Sequence, residues 1–413
     1  MYVKSNTKTI QTLELRKKSK FLLFNTSIDN SFIITKKARD KISMEFWKKS
    51  KFNRREADFL NELTKSKYLI EEVEYPYKTY IFEHCEFKFP LTSFSLELTN
   101  ICNLNCIHCY GSFSHPTQKH FIPMKWIYDS LEDLEKLHTK SISLTGGECT
   151  LHPDFLKILL FYLSNGFEVT VFTNGFNTEL ISKMLVLTNK YRYSIKVSLD
   201  GFEKIHNKIR GNDNSFIRVI NTLNKIAEYD NISLYISTTI MKDNFFQVHE
   251  FKDYIKDQFS TAIHTHDIVF PMGDGNNCSF SLQELTSVRE SFPFVFENRG
   301  VAKRKQTRCT AAISQCCIMA DGRLKICNAA NDEIFYFKHN AFDTGLLRAW
   351  SDVGDNILRY RVEKSKNTVD CLRCRYRKNC YRTDCRVQAK AYYDDEKRSN
   401  PITCFEMKER VKF

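Results

Sequence analysis

The stretch 98–111, LTNICNLNCIHCYG, constrains this chain more than any other. It sets Cys102, Cys106 and Cys109 at C-x3-C-x2-C spacing. Thiolates packed this closely in one loop suit an iron–sulfur cluster. A cubane of four irons normally takes four thiolates, and this loop supplies three. The next cysteine downstream is Cys149, so one iron would be left for a ligand from outside the protein. A zinc knuckle with His108 as fourth donor is the competing reading, since zinc requires a fourth Cys or His at fixed spacing.

The chain has 413 residues, which allows two or three domains, and a hydrophobic content of 42% that can fill their cores. No apolar run is long enough for a membrane span. The first twenty residues lack the apolar core of a signal peptide, which points to the cytoplasm. Fifteen cysteines in such a compartment favour metal over disulfides. The net charge of +13 is concentrated at the two ends. Basic ends attract nucleic acid or acidic peptides, although a lysine-rich soluble surface explains them equally well.

From 93 to 271 strand-like and helix-like segments alternate. Strands are expected at 93–99, 141–147, 168–175, 193–201, 233–240 and 262–271. Amphipathic helices are expected near 124–138, 153–164, 177–189, 215–228 and 245–257. Six such units imply an α/β fold with a parallel sheet and right-handed crossovers. The strand ends carry the motifs. Gly146, Gly147 and Glu148 follow the second strand, where glycines permit close backbone approach and a carboxylate can accept from an ammonium. Thr173-Asn174-Gly175 ends the third strand. Ser198-Leu199-Asp200-Gly201 ends the fourth, with His206 and Arg210 downstream. Asp200 is equally suited to capping the turn that follows.

The flanks differ from this core. Residues 1–92 suggest two short strands around Asp29-Asn30, a helix, a second helical stretch and a short strand at 68–70. Residues 276–308 read as a polar connector with one helix at 281–291 and a basic run from Arg299 to Arg308. Ten of the fifteen cysteines lie after residue 277. ADGRLKICN, ending at Asn328, reads as a hairpin turning at Asp321-Gly322. Cys309-x12-Gly322-x4-Cys327 is followed by Cys371-x2-Cys374-x5-Cys380-x4-Cys385 and by Cys404. A zinc ribbon is the rival here, weakened because this C-terminal region holds a single CxxC pair, at Cys371–Cys374.

Taken together, these segments resemble the radical S-adenosylmethionine (SAM) superfamily with a C-terminal SPASM domain. The resemblance implies a partial (β/α)6 barrel over 93–275 whose cysteine loop holds a [4Fe-4S] cluster. The open iron would be chelated by the amine and carboxylate of SAM, and one electron would release a 5′-deoxyadenosyl radical. Gly146, Gly147 and Glu148 look like the GGEP motif, with Cys149 in place of proline. Asn174, Ser198, Asp200 and Arg210 lie in segments similar to the family's TNG, SLDG and H-x3-RG. Ser198 would serve the SAM carboxylate or ribose, and Arg210 the carboxylate. His108 occupies the position of an aromatic against adenine, unless it is a solvent-facing loop residue. Residues 309–413 look like the SPASM domain, departing from its spacing only before Cys385. The resemblance would place Cys371, Cys374, Cys380 and Cys404 on one auxiliary [4Fe-4S] cluster. Cys309, Cys327 and Cys385 would hold another, with Cys316 or Cys317 as a possible fourth ligand. The N-terminal pattern resembles the winged-helix-like leader-recognition module of peptide maturases.

The expected activity is therefore hydrogen abstraction from a ribosomally made precursor peptide, with oxidative thioether or carbon–carbon crosslinking. Flavodoxin or ferredoxin would supply electrons. A peptide epimerase, using Cys149 or Cys278 as hydrogen donor, and a formylglycine-forming sulfatase maturase are the enzymatic alternatives. A non-catalytic metal scaffold for nucleic acid is the remote one, since it leaves the strand-end motifs unexplained.

Overall fold

The computed structural model describes residues 10–15, 20–25, 30–35, 89–285, 288, 309–362, 370, 374, 385–400 and 404. The basic run to Arg308, Cys371 and Cys380, the expected strand at 68–70 and most of the connector helix lie outside them.

Near the N-terminus, three strands rather than two form an antiparallel meander: β1 (Ile10–Leu15), β2 (Lys20–Asn25) and β3 (Asn30–Thr35). The sequence reading missed β1, whose IQTLEL alternation is interrupted by a charged residue. Asn30 begins β3 and pairs with Asn25, so the turn precedes it.

The main sheet has nine strands in the order β12-β11-β10-β4-β5-β6-β7-β8-β9. Six of them, β4 (Ser93–Glu97), β5 (Ser141–Thr145), β6 (Glu168–Thr173), β7 (Tyr193–Ser198), β8 (Ile232–Ile240) and β9 (Ile263–Ile268), run parallel in chain order. These are the six expected strands, five of them shortened at their ends and β8 starting one residue earlier. β10 (Gln315–Ile318) pairs parallel to β4 and antiparallel to β11 (Arg323–Lys325), which pairs with β12 (Tyr336–Asn340). The expected hairpin at Asp321-Gly322 thus extends the parallel sheet itself.

Alternation along these strands decides which face meets the helices. In β7, Tyr193, Ile195 and Val197 are buried, while Ser194, Lys196 and Ser198 are half-buried. Registered neighbours such as Phe94–Ile142, Leu144–Val171 and Ile195–Leu234 form one continuous apolar face. Helices α1 (Met124–Asp129), α2 (Leu131–Lys136), α3 (Phe155–Ser164), α4 (Thr178–Leu187), α5 (Glu203–Arg210), α6 (Ser215–Ala227) and α7 (Val248–Gln258) follow the strands. The buried residues of α3 (Phe155, Ile158, Leu159, Tyr162, Leu163) fall on one helical stripe and join the sheet's core. The helices cover the apolar face of this parallel sheet, and the strand alternation leaves a more polar opposite face, the inner face.

Two helical details depart from expectation. The helix expected at 124–138 is divided at Ser130 into α1 and α2. Helix α5, hidden in a polar segment, ends at Gly211, which sits in the left-handed region at φ 65°.

Candidate functional site: a cysteine loop clamped over the strand ends

The cysteine loop follows β4 and is held by backbone bonds from three distant segments. Gly147 N donates to Thr99 O (2.8 Å) and Glu148 N to Ile101 O (2.9 Å). Asn105 N donates to Arg210 O, Ile107 N to Ile209 O, and Asp274 N to Cys109 O. Each segment needs a glycine for contact. A Cβ on Gly147 would lie 2.2 Å from Ile101 O, one on Gly211 2.6 Å from Asn105 O, and one on Gly273 2.5 Å from Cys109 O. Gly146, at φ 139°, would place a Cβ 2.3 Å from Thr99 O. The two glycines of the GGE segment thus make room for the loop's own backbone. Gly211 and Gly273 stand in this role too, which chain order alone did not reveal.

Two side chains aim N–H donors at the thiols. Asn174 Nδ2 lies 3.8 Å from Cys102 Sγ and donates to Asn103 Oδ1 (2.8 Å). Arg210 Nη1 lies 3.6 Å from Cys106 Sγ, and Nη2 lies 2.6 Å from Asp200 Oδ2. Both members of that ion pair are buried. Asp200 Oδ1 accepts from Thr239 N (2.9 Å), so the carboxylate anchors Arg210 and β8 instead of capping its turn. His206 Nδ1 accepts from Asp200 N (3.1 Å), which leaves Nε2 to donate to Ser215 Oγ (3.0 Å). Burial holds this histidine neutral, with its pKa lowered to about 3.

Glu148 is buried beneath the loop. Its Oε1 accepts from Thr150 N, Thr150 Oγ1 and Thr173 Oγ1, and its Oε2 accepts from Asn174 N at 2.7 Å. Burial raises its pKa against these donors. Ser198 ends β7 on the inner face. His108 is half-buried; its Nδ1 is buried with no hydrogen-bond partner among the described residues, and burial lowers its pKa to about 4. Cys149 is sealed in the core, its thiol donating to Phe172 O (3.1 Å). Cys278 packs behind the loop with Ile209, Met241 and Val269.

Burial pushes the Cys102 thiol up to about 12, with Cys106, Glu148 and Cys109 adding to the rise. Thiolates here therefore call for a cationic partner, and the N–H donors are of the kind that stabilise cluster-bound sulfur. The three cysteines fit an iron–sulfur cluster on that chemistry.

A second cysteine group forms on the sheet extension. Burial, then Cys309 and Cys327, raise the Cys385 thiol to about 12, and Cys309 likewise acts on Cys327. Tyr360, held far above its ordinary range by burial, feels all three. Cys309, Cys327 and Cys385 are thus near enough to act on one another's charge, while among the described residues no three His, Cys, Asp or Glu side chains are gathered tightly enough to hold a metal ion. Cys316 and Cys317, adjacent on β10, point to opposite faces: Cys316 packs in the core, and Cys317 donates to Glu97 Oε1 at 3.5 Å on the inner face. Cys374 and Cys404 are described individually, and the Cys404 thiol donates to Ser399 Oγ at 3.1 Å.

Between the two cysteine groups lies a buried ion pair, Glu97 with Lys325, which the sequence reading did not single out. The signal was present in the strand alternation, which places Ser95, Glu97, Cys317 and Lys325 on one face.

Residues 96–256 match the family described as the Radical SAM superfamily. Over 158 residues the chain is 32% identical to the sporulation killing factor maturation protein SkfB of Bacillus subtilis, covering 38% of each chain. It is 24% identical over 252 residues to the antilisterial bacteriocin subtilosin biosynthesis protein AlbA of the same organism, covering 59% of this chain and 56% of that one. These matches span 38–56% of the relatives' length. The crystal structure of Streptococcus suis SuiB bound to precursor peptide SuiA superposes with a TM-score of 0.65 at 16% identity, over 96% of this chain and 99% of that one. At that identity the likeness is one of fold. Among the described residues no helix is long and apolar enough to cross a membrane.

Proposed function

We propose that this radical SAM enzyme, related to peptide-modifying maturases, takes a hydrogen atom from a ribosomally made peptide and forms an oxidative crosslink. One observation carries the reading. The loop carrying Cys102, Cys106 and Cys109 is clamped over the ends of the parallel strands by backbone bonds that need glycines in three distant segments. Cys102, Cys106 and Cys109 would hold the SAM-binding [4Fe-4S] cluster. Cys309, Cys327 and Cys385 would hold a first auxiliary cluster, and Cys371, Cys374, Cys380 and Cys404 a second. With SAM, the first cluster supplies a 5′-deoxyadenosyl radical, and auxiliary clusters supply an electron acceptor.

The chain's own residues provide binding, orientation and exclusion of water. Arg210 and Asn174 hold the thiols' N–H···S environment. Glu148 Oε2, with only Asn174 N on it, retains acceptor capacity for an ammonium. His108 offers a neutral ring beside the loop, and Ser198 a hydroxyl on the inner face. The N-terminal strands would belong to the leader-binding module, and a flavodoxin or ferredoxin would deliver electrons. An epimerase is less well supported, because Cys149 and Cys278 are buried in apolar surroundings.

Anaerobic reconstitution tests this reading. About twelve irons per chain and 5′-deoxyadenosine from SAM and dithionite are expected. Replacing Cys102, Cys106 and Cys109 by Ala should end SAM cleavage. Replacing Cys309 and Cys385 should spare cleavage and lose the crosslinked product. Zinc in place of iron, with SAM left intact, would overturn it.

A further inference from the structure

We propose that Lys196 determines substrate specificity by taking a carboxylate of the peptide into the inner face. The inference rests on the peptide-modifying function above and narrows its substrate to an acidic peptide.

Lys196 lies on β7, paired across the sheet with Phe172 on β6 and Tyr235 on β8. Its Nζ is 5.7 Å from the Phe172 ring centroid, within cation–π range. The side chain is half-buried, and among the described residues no carboxylate pairs with it. Lys325, a further cation of this face, is already neutralised by Glu97. Asp267, on the edge strand β9, is exposed. Around Lys196 the face presents hydroxyls, among them Thr170, Ser198 and Ser237, which suit the amides of an extended peptide.

The electrostatic consequence is direct. A peptide lying across this face would strip water from the Lys196 ammonium. Desolvating an unpaired charge is costly, and an incoming carboxylate offsets that cost with a charge-assisted hydrogen bond. The aromatic ring fixes the cation's position in advance, so a neutral peptide bears the penalty and an acidic one does not. The carboxylate can come from an Asp or Glu side chain or from a peptide C-terminus.

The test uses the full-length, cluster-reconstituted protein and three short fluorescein-labelled peptides. One is amidated with a central Asp, one amidated with a central Asn, and one carries the Asn with a free C-terminal carboxylate. Anisotropy should show wild type binding an acidic probe about tenfold more tightly than the amidated Asn probe, the scale of one partly shielded charge pair. Which acidic probe gains identifies the source of the carboxylate. Lys196→Met should remove the preference, and Lys196→Arg should keep it. Equal binding of all three probes, no binding of any, or a preference that survives Lys196→Met overturns the proposal. So does a matching loss of SAM affinity in Lys196→Met, which would assign the ammonium to the cofactor. SAM cleavage by the same wild-type preparation reports on the underlying function, so a protein that cleaves SAM yet ignores the carboxylate fails on specificity alone.

Discussion

Lys325 Nζ stands 2.9 Å from Glu97 Oε1, with 1% and 2% of the two side chains exposed. The pair joins β11 to β4 and so couples the C-terminal hairpin to the strand that launches the cysteine loop. Lys325 also donates to Asn331 Oδ1 and lies over the Tyr110 ring, and Asn331 Nδ2 donates to Tyr110 O. Removing one partner of a buried pair leaves an uncompensated charge. Lys325→Met should therefore destabilise the fold by about 3–5 kcal/mol in urea unfolding. The double change Glu97→Leu/Lys325→Met should recover much of that loss. Simple additivity of the two single changes would mean the residues are not coupled.

Arg210 joins a carboxylate to a thiol. Arg210→Met would strand the buried Asp200 and remove the N–H donor at Cys106. Loss of a nearby positive charge disfavours the reduced cluster, so its potential should fall. Arg210→Lys, which cannot fork to two partners, should lie between. Spectroelectrochemistry of the reconstituted protein measures the shift, and an unchanged potential would count against this role.

Gly147→Ala should disrupt the loop more severely than an ordinary glycine substitution. The new Cβ would meet Ile101 O at 2.2 Å, and that atom is backbone that no rotamer change can move. Iron content and SAM cleavage should both collapse, while thermal unfolding of the metal-free chain should shift only a few degrees. Normal iron loading in this variant would show that the loop can re-route.

Acid should weaken the fold through its buried histidines. His206 and His264 have folded pKa values lowered to about 3, and His108 and His266 to about 4, chiefly by burial. These lie below the unfolded value near 6.5, so the unfolded chain binds more protons between the two. Their neutral forms contribute stability that is complete above about pH 6.5 and declines as pH falls through that window. Each proton steepens the dependence by about 1.4 kcal/mol per pH unit. Urea midpoints from pH 7 to 5 should drop, and His264→Gln should remove one proton's share of the slope. A flat profile would mean these rings reach water.

The close spacing of Cys102, Cys106 and Cys109, the strand-end motifs and the six parallel strands were legible in the sequence because their signals are local. Spacing sets which thiols share a loop, and period-2 alternation sets which residues share a strand face. Helix α5 was not legible, because its buried residues His206, Ile209 and Arg210 are mostly polar and its core contact is an ion pair. The joining of the C-terminal hairpin to β4 was hidden too, since residues 93 and 315 are linked only by hydrogen bonds across 222 positions. What the sequence determined by itself was the donor set: three thiols in one loop after the first parallel strand, and a second store of cysteines near the C-terminus. Only the tertiary structure decided that glycines from three segments make room for the loop, that Arg210 is shared between Asp200 and Cys106, and that Lys196 has no carboxylate partner among the described residues. The reason is physical: close approach and charge pairing depend on distance in space, and chain order carries no measure of it.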